Sequence, residues 1–116
     1  MNNIEKLKEL VVKFRDERDW KQFHNPKNLS LALSVEVSEL AQNFLWVDNK
    51  DSINTANTKI ENVKEEMADI FIYLLSLADV MNINLEEAVI NKIEKNKQKY
   101  PIEKSFGNCK KYTELN

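Results

Sequence analysis

Four acidic residues lie in two pairs with matching spacing, and each pair is set in an apolar segment. Glu36 and Glu39 belong to LSVEVSELAQNFLW, and Glu66 and Asp69 belong to EEMADIFIYLLSLA. Residues three apart share one face of a helix, and a carboxylate is costly to bury without a partner. Four crowded carboxylates either take up protons or bind a cation. The pattern E-x-x-E followed by E-x-x-D therefore predicts a cation site.

The register of the two pairs supports this prediction. If the two segments form antiparallel helices, the midpoint between Glu39 and Glu66 falls near residue 52, inside a polar connection. Both pairs then lie at similar heights, at about 1.5 Å per residue. Glu61 and Glu65 are interpreted as solvent-facing, although the i, i+4 spacing of Glu65 to Asp69 leaves it as an alternative ligand. The competing interpretation is that both pairs are ordinary solvated stripes.

The chemical types of the candidate ligands narrow the choice of metal ion. Carboxylate oxygens suit hard cations such as Mg²⁺ or Mn²⁺, whereas a thiolate site is excluded because Cys109 is the one cysteine. A di-iron helical bundle would require Glu-x-x-His on two helices, and the one histidine, His24, lies in a predicted loop. Mg²⁺ commonly joins protein carboxylates to substrate phosphates. The site therefore suggests hydrolysis of a phosphate ester or phosphoanhydride.

Composition excludes several other classes of protein. The 116 residues are 42% hydrophobic, as expected for one domain spanning 1–116 with its core over 3–100 and a tail over 101–116. A net charge of −2 predicts no nucleic-acid polymer and no membrane surface as a partner. The polar start, the short apolar runs and the single cysteine favour the cytoplasm. One glycine, Gly107, cannot build a P-loop or a dinucleotide-binding turn.

The acidic pairs must be positioned by helices, since apolar residues recur at helical spacing and no segment alternates long enough for a sheet. We therefore predict an all-α fold resembling a four-helix bundle. Asn28 and Asn84 are the predicted N-caps of the second and fourth helices, and Asn82 is the predicted stop of the third. The helices are predicted over 3–19, 29–47, 58–81 and 84–100, separated by loops at 20–26 and 48–57. The buried face of the third is predicted to carry Ile60, Val63, Met67, Ile70, Leu74 and Leu77.

The chain also resembles a known family. The segments ERDWKQFHNPKNLSLALSVEVSELAQNFLW, EEMADIFIYLLSLA, NKQKYP and KKYTEL are similar to the MazG-like all-α nucleoside triphosphate pyrophosphohydrolases, nearest the dCTP pyrophosphatase group, over residues 10–115. The resemblance implies Mg²⁺ held by Glu36, Glu39, Glu66 and Asp69. It also implies hydrolysis of a deoxynucleoside triphosphate to the monophosphate and pyrophosphate, with dCTP or a modified relative favoured.

The resemblance further implies substrate contacts from Trp20, Lys21, Gln22, Phe23, His24, Trp46 and Tyr73. An indole or phenol offers a stacking face for a base, and an imidazole offers a hydrogen bond. The alternative for each aromatic residue is a place in the core or an interface. Lys92 and Asn96 share a face of the fourth helix and are candidate contacts for phosphate or sugar, with a solvated edge as the alternative. Val11 stands where animal members of the group carry histidine, which makes base selectivity harder to infer than chemistry.

The prediction is thus a Mg²⁺-dependent dNTP pyrophosphatase in which Glu36 or Glu39 acts as the base. A pyrophosphatase for dUTP or phosphoribosyl-ATP and a non-catalytic helical adaptor are the alternatives. Apolar residues at 70–75 and at Leu77 wrap beyond one stripe of the third helix, which favours self-association. With the resemblance, this predicts a homotetramer, a dimer of dimers, in which residues 20–24 or 110–115 complete a neighbouring site.

Overall fold

The computed structural model describes residues 2–116, and all regular secondary structure in this range is helical, which confirms the all-α prediction. Three single 3₁₀ turns, Lys21–Phe23, Asn49–Asp51 and Tyr112–Glu114, accompany the α-helices. The α-helices are α1 (Asn3–Glu17), α2 (Pro26–Gln42), α3 (Ser52–Thr58), α4 (Ile60–Val80), α5 (Leu85–Lys99) and α6 (Ile102–Ser105).

The chain forms two compact units, one ending at Ile83 and one spanning Asn84–Asn116. In the first unit, α4 packs against both α1 and α2. An ion pair joins α1 to α4, since the buried Arg15 guanidinium donates from Nη1 to Asp79 Oδ2 at 2.7 Å. The buried apolar residues of this unit are Leu29, Val63, Leu75 and Ala78.

The helices α2 and α4 are antiparallel, as the sequence predicts. Lys59 Nζ, just before α4, donates to the backbone oxygen of Asn43, just after α2, at 3.2 Å. One to two turns away, Glu36 of α2 lies beside Glu66 of α4. Earlier residues of α2 therefore lie beside later residues of α4, which brings the two acidic pairs to similar heights along the helices.

The start of α2 differs from the prediction. The helix begins at Pro26, and its N-cap is Asn25, whose Oδ1 accepts from the Asn28 backbone N–H at 2.8 Å. Proline fits the first helical turn because its missing N–H needs no partner there. The Asn28 side chain instead donates to the Phe23 carbonyl at 3.0 Å, so the prediction of Asn28 as the cap is wrong.

The end of α2 also differs, because the helix stops at Gln42 rather than at 47. Asn43 is buried, and its side-chain amide donates to the Leu40 carbonyl at 3.2 Å, so it bonds locally instead of continuing the helix. Trp46 then adopts a left-handed backbone conformation with φ of 66°. The segment predicted as a loop at 48–57 is largely helical, since it contains the 3₁₀ turn Asn49–Asp51 and most of α3.

The helices α1 and α4 end in the same way. Asp19 and Asn82 adopt left-handed conformations, with φ of 55° and 52°. The next residue in each case bonds back into the helix, Trp20 N–H to Arg15 O at 3.1 Å and Ile83 N–H to Ala78 O at 2.8 Å. These are Schellman turns, which non-glycine residues support best when they are Asn or Asp. The predicted stop at Asn82 is confirmed, whereas α1 ends two residues earlier than predicted.

The buried side of α4 is only partly the predicted one. Val63 is buried and Ile70, Leu74 and Leu77 are half-buried, but Ile60 and Met67 are exposed. Leu75, Ser76 and Ala78 are buried instead. The prediction of a single apolar stripe assumes that one helix packs against α4, whereas both α1 and α2 pack against it.

The second unit is built on α5. Its predicted N-cap is confirmed, because Asn84 Oδ1 accepts from the Glu87 backbone N–H at 3.1 Å. Near its end, the Tyr100 and Tyr112 rings meet edge to face with centroids 6.1 Å apart. Among residues 2–116, no single helix has the length and apolarity needed to cross a membrane. In the same range, one bent pair, α4 with α5, meets those criteria of length and composition.

Candidate active site

Three of the four predicted acids form one group. Glu36 and Glu39 from α2 and Glu66 from α4 each offer a carboxylate oxygen, and these oxygens all lie within 4.8 Å of one another. The antiparallel register of α2 and α4 brings them together, as predicted. We call these three residues the acidic cluster. Glu65, the alternative ligand, is exposed and lies outside it.

The electrostatics of the acidic cluster fit a cation. Burial raises the pKa of the Glu36 carboxyl from 4.5 to about 7, and the charges of Glu39 and Asp69 add to this. Burial also raises the pKa of Glu66, together with the close approach of Glu39. Among the described residues, Glu36 Oε2 and Glu66 Oε2 are buried and have no hydrogen-bond partner. Carboxylate oxygens in this state can hold a divalent metal, which would offset their repulsion.

Asp69 lies next to the acidic cluster without being one of its three members. Its charge raises the pKa of Glu36, which places it within electrostatic reach. Its side chain lines an adjoining cavity of about 260 Å³. We call this space the apolar cavity. It is lined by Val11, Phe14, Arg15, Trp20, His24, Asp69, Ile72, Tyr73 and Ser76.

The walls of the apolar cavity come from α1, α4 and the turn between α1 and α2. The Schellman turn at Asp19 holds Trp20 back against α1, where its ring meets the Phe14 ring edge to face at 5.7 Å. Tyr73 lies one turn beyond Asp69 on α4. Apolar walls with a few polar groups are typical of small-molecule sites, and these aromatic faces suit a flat ring.

Two polar side chains in the apolar cavity differ in how well they are paired. Arg15 bonds both to Asp79 and, from Nε at 2.9 Å, to Asp16. His24 Nδ1, in contrast, is buried and has no hydrogen-bond partner among the described residues. Burial lowers the pKa of His24, and the Arg15 charge lowers it further. His24 is therefore neutral at pH 7 and presents an unpaired ring nitrogen.

A second cavity, of about 310 Å³, adjoins the acidic cluster through Glu39 and Glu66. It lies where α2 ends and α4 begins. Its lining includes no apolar side chain of the described residues, and we call it the polar cavity. It is lined by Glu39, Gln42, Asn43, Lys59, Asn62 and Glu66.

Several predicted substrate contacts line neither cavity. Lys21, Gln22 and Phe23 form the exposed 3₁₀ turn after α1, in which the Gln22 amide donates to Asp19. Trp46 is 93% exposed. Lys92 and Asn96 are exposed residues of α5 in the second unit.

Among residues that line the cavities, sequence reasoning missed Phe14, Arg15, Ile72, Ser76 and every residue of the polar cavity except its two acids. Ile72 and Phe14 carried a usable signal, since both belong to apolar runs near the predicted site. Arg15 carried none, because its partner Asp79 is 64 residues away.

The arrangement can be compared with known proteins. The sequence pattern described as the MazG-like family matches residues 31–115. The chain belongs to the MazG-like family. This confirms the family predicted from the acidic pairs and the flanking segments.

Individual members of the family are similar over most of the chain. dCTP pyrophosphatase 1 from Mus musculus is 42% identical over 114 residues, which cover 97% of this chain and 67% of that protein. The Homo sapiens protein of the same name is 39% identical over the same shares. A pyrophosphatase from Archaeoglobus fulgidus has a crystal structure that superimposes with a TM-score of 0.84 at 42% identity, covering 87% of this chain and 94% of that one.

Proposed function

We propose that this MazG-like protein hydrolyses a deoxynucleoside triphosphate, dCTP or a modified dCTP, to the monophosphate and pyrophosphate with Mg²⁺. The chain is a nucleoside triphosphate pyrophosphohydrolase, as predicted. The observation that carries the proposal is the acidic cluster with a ring-sized apolar cavity beside it. The names of the mouse and human relatives favour dCTP.

In this proposal Glu36, Glu39, Glu66 and Asp69 hold the metal, with Mn²⁺ as a possible substitute for Mg²⁺. When bound, the metal neutralises the phosphates and increases the acidity of a water molecule. Glu36 or Glu39 would accept a proton from that water molecule while the water oxygen bonds to a phosphorus atom. The bridging P–O bond between the α and β phosphoryl groups would break, which would yield the monophosphate and pyrophosphate.

The apolar cavity is proposed to bind the base. Trp20 and Tyr73 supply aromatic faces, and the unpaired Nδ1 of the neutral His24 supplies a hydrogen bond. Val11 adds an apolar wall and no hydrogen bond. Selectivity for the base therefore depends chiefly on His24 and on the shape left by Val11.

Assembly is the second part of the proposal. The exposed apolar surface includes Met67, Phe71 and Ile72 on α4 and the nearly fully exposed Trp46. Burying such a surface against another copy is favourable, and symmetric oligomers are the usual result. We propose a cytoplasmic homotetramer, a dimer of dimers, in which residues 1–116 act as one catalytic domain. In it Trp46, Lys21, Gln22, Phe23, Lys92 and Asn96 contact substrate, some of them across a chain boundary.

Light scattering tests the assembly directly. We expect a mass near four times the 13.6 kDa of one chain. Mixing an Asp69→Asn protein with a Trp46→Ala protein should restore part of the activity if sites are shared between chains. A mass of one chain would refute both the tetramer and the shared site.

A substrate panel tests the chemistry. Release of pyrophosphate is measured for the canonical dNTPs, several modified dCTPs and phosphoribosyl-ATP, with Mg²⁺, with Mn²⁺ and with chelator. We expect the highest kcat/KM for dCTP or a modified dCTP, and no release in chelator. A preference for dUTP or phosphoribosyl-ATP would reassign the substrate. Metal-independent release would overturn the role of the acidic cluster, and no release from any nucleotide would favour a helical adaptor.

A further inference from the structure

The polar cavity has no role in the proposal so far, yet two members of the acidic cluster, Glu39 and Glu66, line it. The apolar cavity reaches the cluster through Asp69, whose charge acts on Glu36. Its non-acidic lining consists of Gln42 and Asn43 at the end of α2 and Lys59 and Asn62 at the start of α4. The hydrogen bond from Lys59 to Asn43 O ties the two helix ends together. The cavity is thus held between secondary-structure elements rather than formed by a loose surface loop.

The chemistry of this lining favours an oxyanion over a ring. The Lys59 ammonium has three protons, and Asn43 O takes one of them, which leaves two for a ligand. The side-chain amides of Gln42 and Asn62 add further donors. Phosphoryl oxygens accept such bonds, and a charged donor makes them stronger. A nucleobase, in contrast, would find no apolar or aromatic side chain here.

The two acids in the wall decide how an anion can enter. Glu39 and Glu66 would repel a free phosphate group, so the ligand must carry a divalent cation that the acidic cluster can hold. A nucleoside triphosphate with its metal meets this condition. Its base matches the aromatic and aliphatic walls of the apolar cavity, and its phosphate groups match the polar walls of the other cavity.

We propose that the polar cavity binds the β and γ phosphoryl groups of the substrate, and afterwards the pyrophosphate product, with Lys59 and Asn62 as its main contacts. This rests on the proposed function. The nucleotide then crosses the acidic cluster, with its base in the apolar cavity and its β and γ phosphoryl groups in the polar one. Lys59 and Asn62 select for a nucleotide with three phosphates.

The first test removes the positive charge of Lys59. Lys59→Met is compared with Lys59→Arg and with Lys64→Met. The Lys64 variant is a matched control, because it removes an exposed lysine of the first turns of α4 that pairs with Glu61 and lies outside both cavities. Inhibition constants for pyrophosphate and for dCMP are measured at fixed free Mg²⁺. Lys59→Met should weaken pyrophosphate inhibition about tenfold and leave dCMP inhibition unchanged. Lys59→Arg should retain most of the pyrophosphate affinity.

The second test adds a repelling charge without removing the bond to Asn43. Asn62→Asp places a carboxylate at the polar cavity, whereas Asn57→Asp adds the same charge on α3, outside both cavities. We expect weaker pyrophosphate inhibition for Asn62→Asp only. Circular dichroism confirms that each variant is folded.

The proposal is overturned if pyrophosphate inhibits Lys59→Met and Asn62→Asp as strongly as it inhibits their control variants. It is also overturned if these variants lose affinity for dCMP and for pyrophosphate equally. Failure of the proposed function is distinguishable, because the wild type would then release no pyrophosphate from any dNTP. Calorimetric titration with pyrophosphate and Mg²⁺ still tests the cavity in that case. Binding that falls in Lys59→Met supports the proposal, and absent or unchanged binding refutes it.

Discussion

The apolar and polar cavities are similar in size and are each lined by predicted site acids, but their walls have opposite character. The apolar cavity, beside Asp69, is closed by aromatic and aliphatic residues of α1 and α4. The polar cavity, beside Glu39 and Glu66, is open to solvent and is lined by amides and one lysine where α2 meets α4. A molecule with a ring at one end and phosphates at the other fits this pair in one direction only. Under the proposed function, this difference in the walls sets the orientation of the substrate, which the acids alone do not.

Removing one acid on either side should have the largest effect. We expect Glu39→Gln, on the polar side, and Asp69→Asn, on the apolar side, each to lower turnover by about 10²–10³-fold, as when a group that stabilises transition-state charge is lost. The variants should be as stable as the wild type or slightly more so, because like-charge repulsion is relieved. Turnover and thermal unfolding are measured together, with the exposed Glu65→Gln as control. An unfolded variant with full activity per folded molecule would remove these residues from the site.

An intermediate effect is expected from the two indoles, one inside the apolar cavity and one outside both cavities. Trp20→Ala should raise KM by about 5- to 150-fold with little change in kcat, since stacking is worth about 1–3 kcal/mol in both ground and transition states. Trp46→Ala should raise KM less, because this exposed side chain reaches a nucleotide only across a chain boundary. If nucleotide titration of Trp20→Ala matched the wild type, the indole would belong to the core instead.

The smallest expected effect is a change with pH in the melting temperature of the metal-free protein, caused by the acidic cluster. The pKa of Glu36 is raised from 4.5 to about 7, so between these values the folded protein keeps a proton that the unfolded chain has lost. Stability from this group is present below pH 4.5 and is lost as the pH rises to about 7. The melting temperature of the metal-free protein should therefore fall by a few degrees between pH 5 and 8.

A matched variant isolates Glu36 from other titrating groups. The lowered pKa of His24 acts in the opposite direction, because its folded state resists protonation and gains stability as the pH rises. Glu36→Gln keeps His24 and removes the carboxyl, so its melting temperature should fall less with pH than that of the wild type. Saturating Mg²⁺ should remove the wild-type decrease. Identical pH profiles for wild type and variant would contradict the raised pKa.

Much of the fold follows from local patterns in the sequence. The apolar period predicts α1, α2, α4 and α5 because each helix needs an apolar side, whatever covers it. Asn84 as a cap and Asn82 as a stop also depend on neighbours within a few residues. The antiparallel register of the acidic pairs follows from their equal distances to one connection. Local spacing was therefore sufficient to bring Glu36, Glu39 and Glu66 together.

The errors in the prediction arise where residues compete for the same backbone groups. Asn25 and Asn28 are both good caps, and the position of Pro26 between them decides for Asn25. Asn43 ends α2 five residues early because its buried amide bonds to the preceding turn and its carbonyl bonds to Lys59. That second bond links residues that only the folded chain brings together, and nothing in the local sequence signals it.

The sequence by itself determined that Glu36, Glu39 and Glu66 meet, because helix period and a short connection place them, but it did not show that Asp69 lies beside this group. The tertiary structure alone decided what surrounds them. Arg15 is buried because it pairs with Asp79 across 64 residues, and Trp20 enters the apolar cavity while Trp46 points to solvent. Cavities form from distant residues whose packing depends on the angles between helices. Those angles are set by long-range contacts, which no local spacing records.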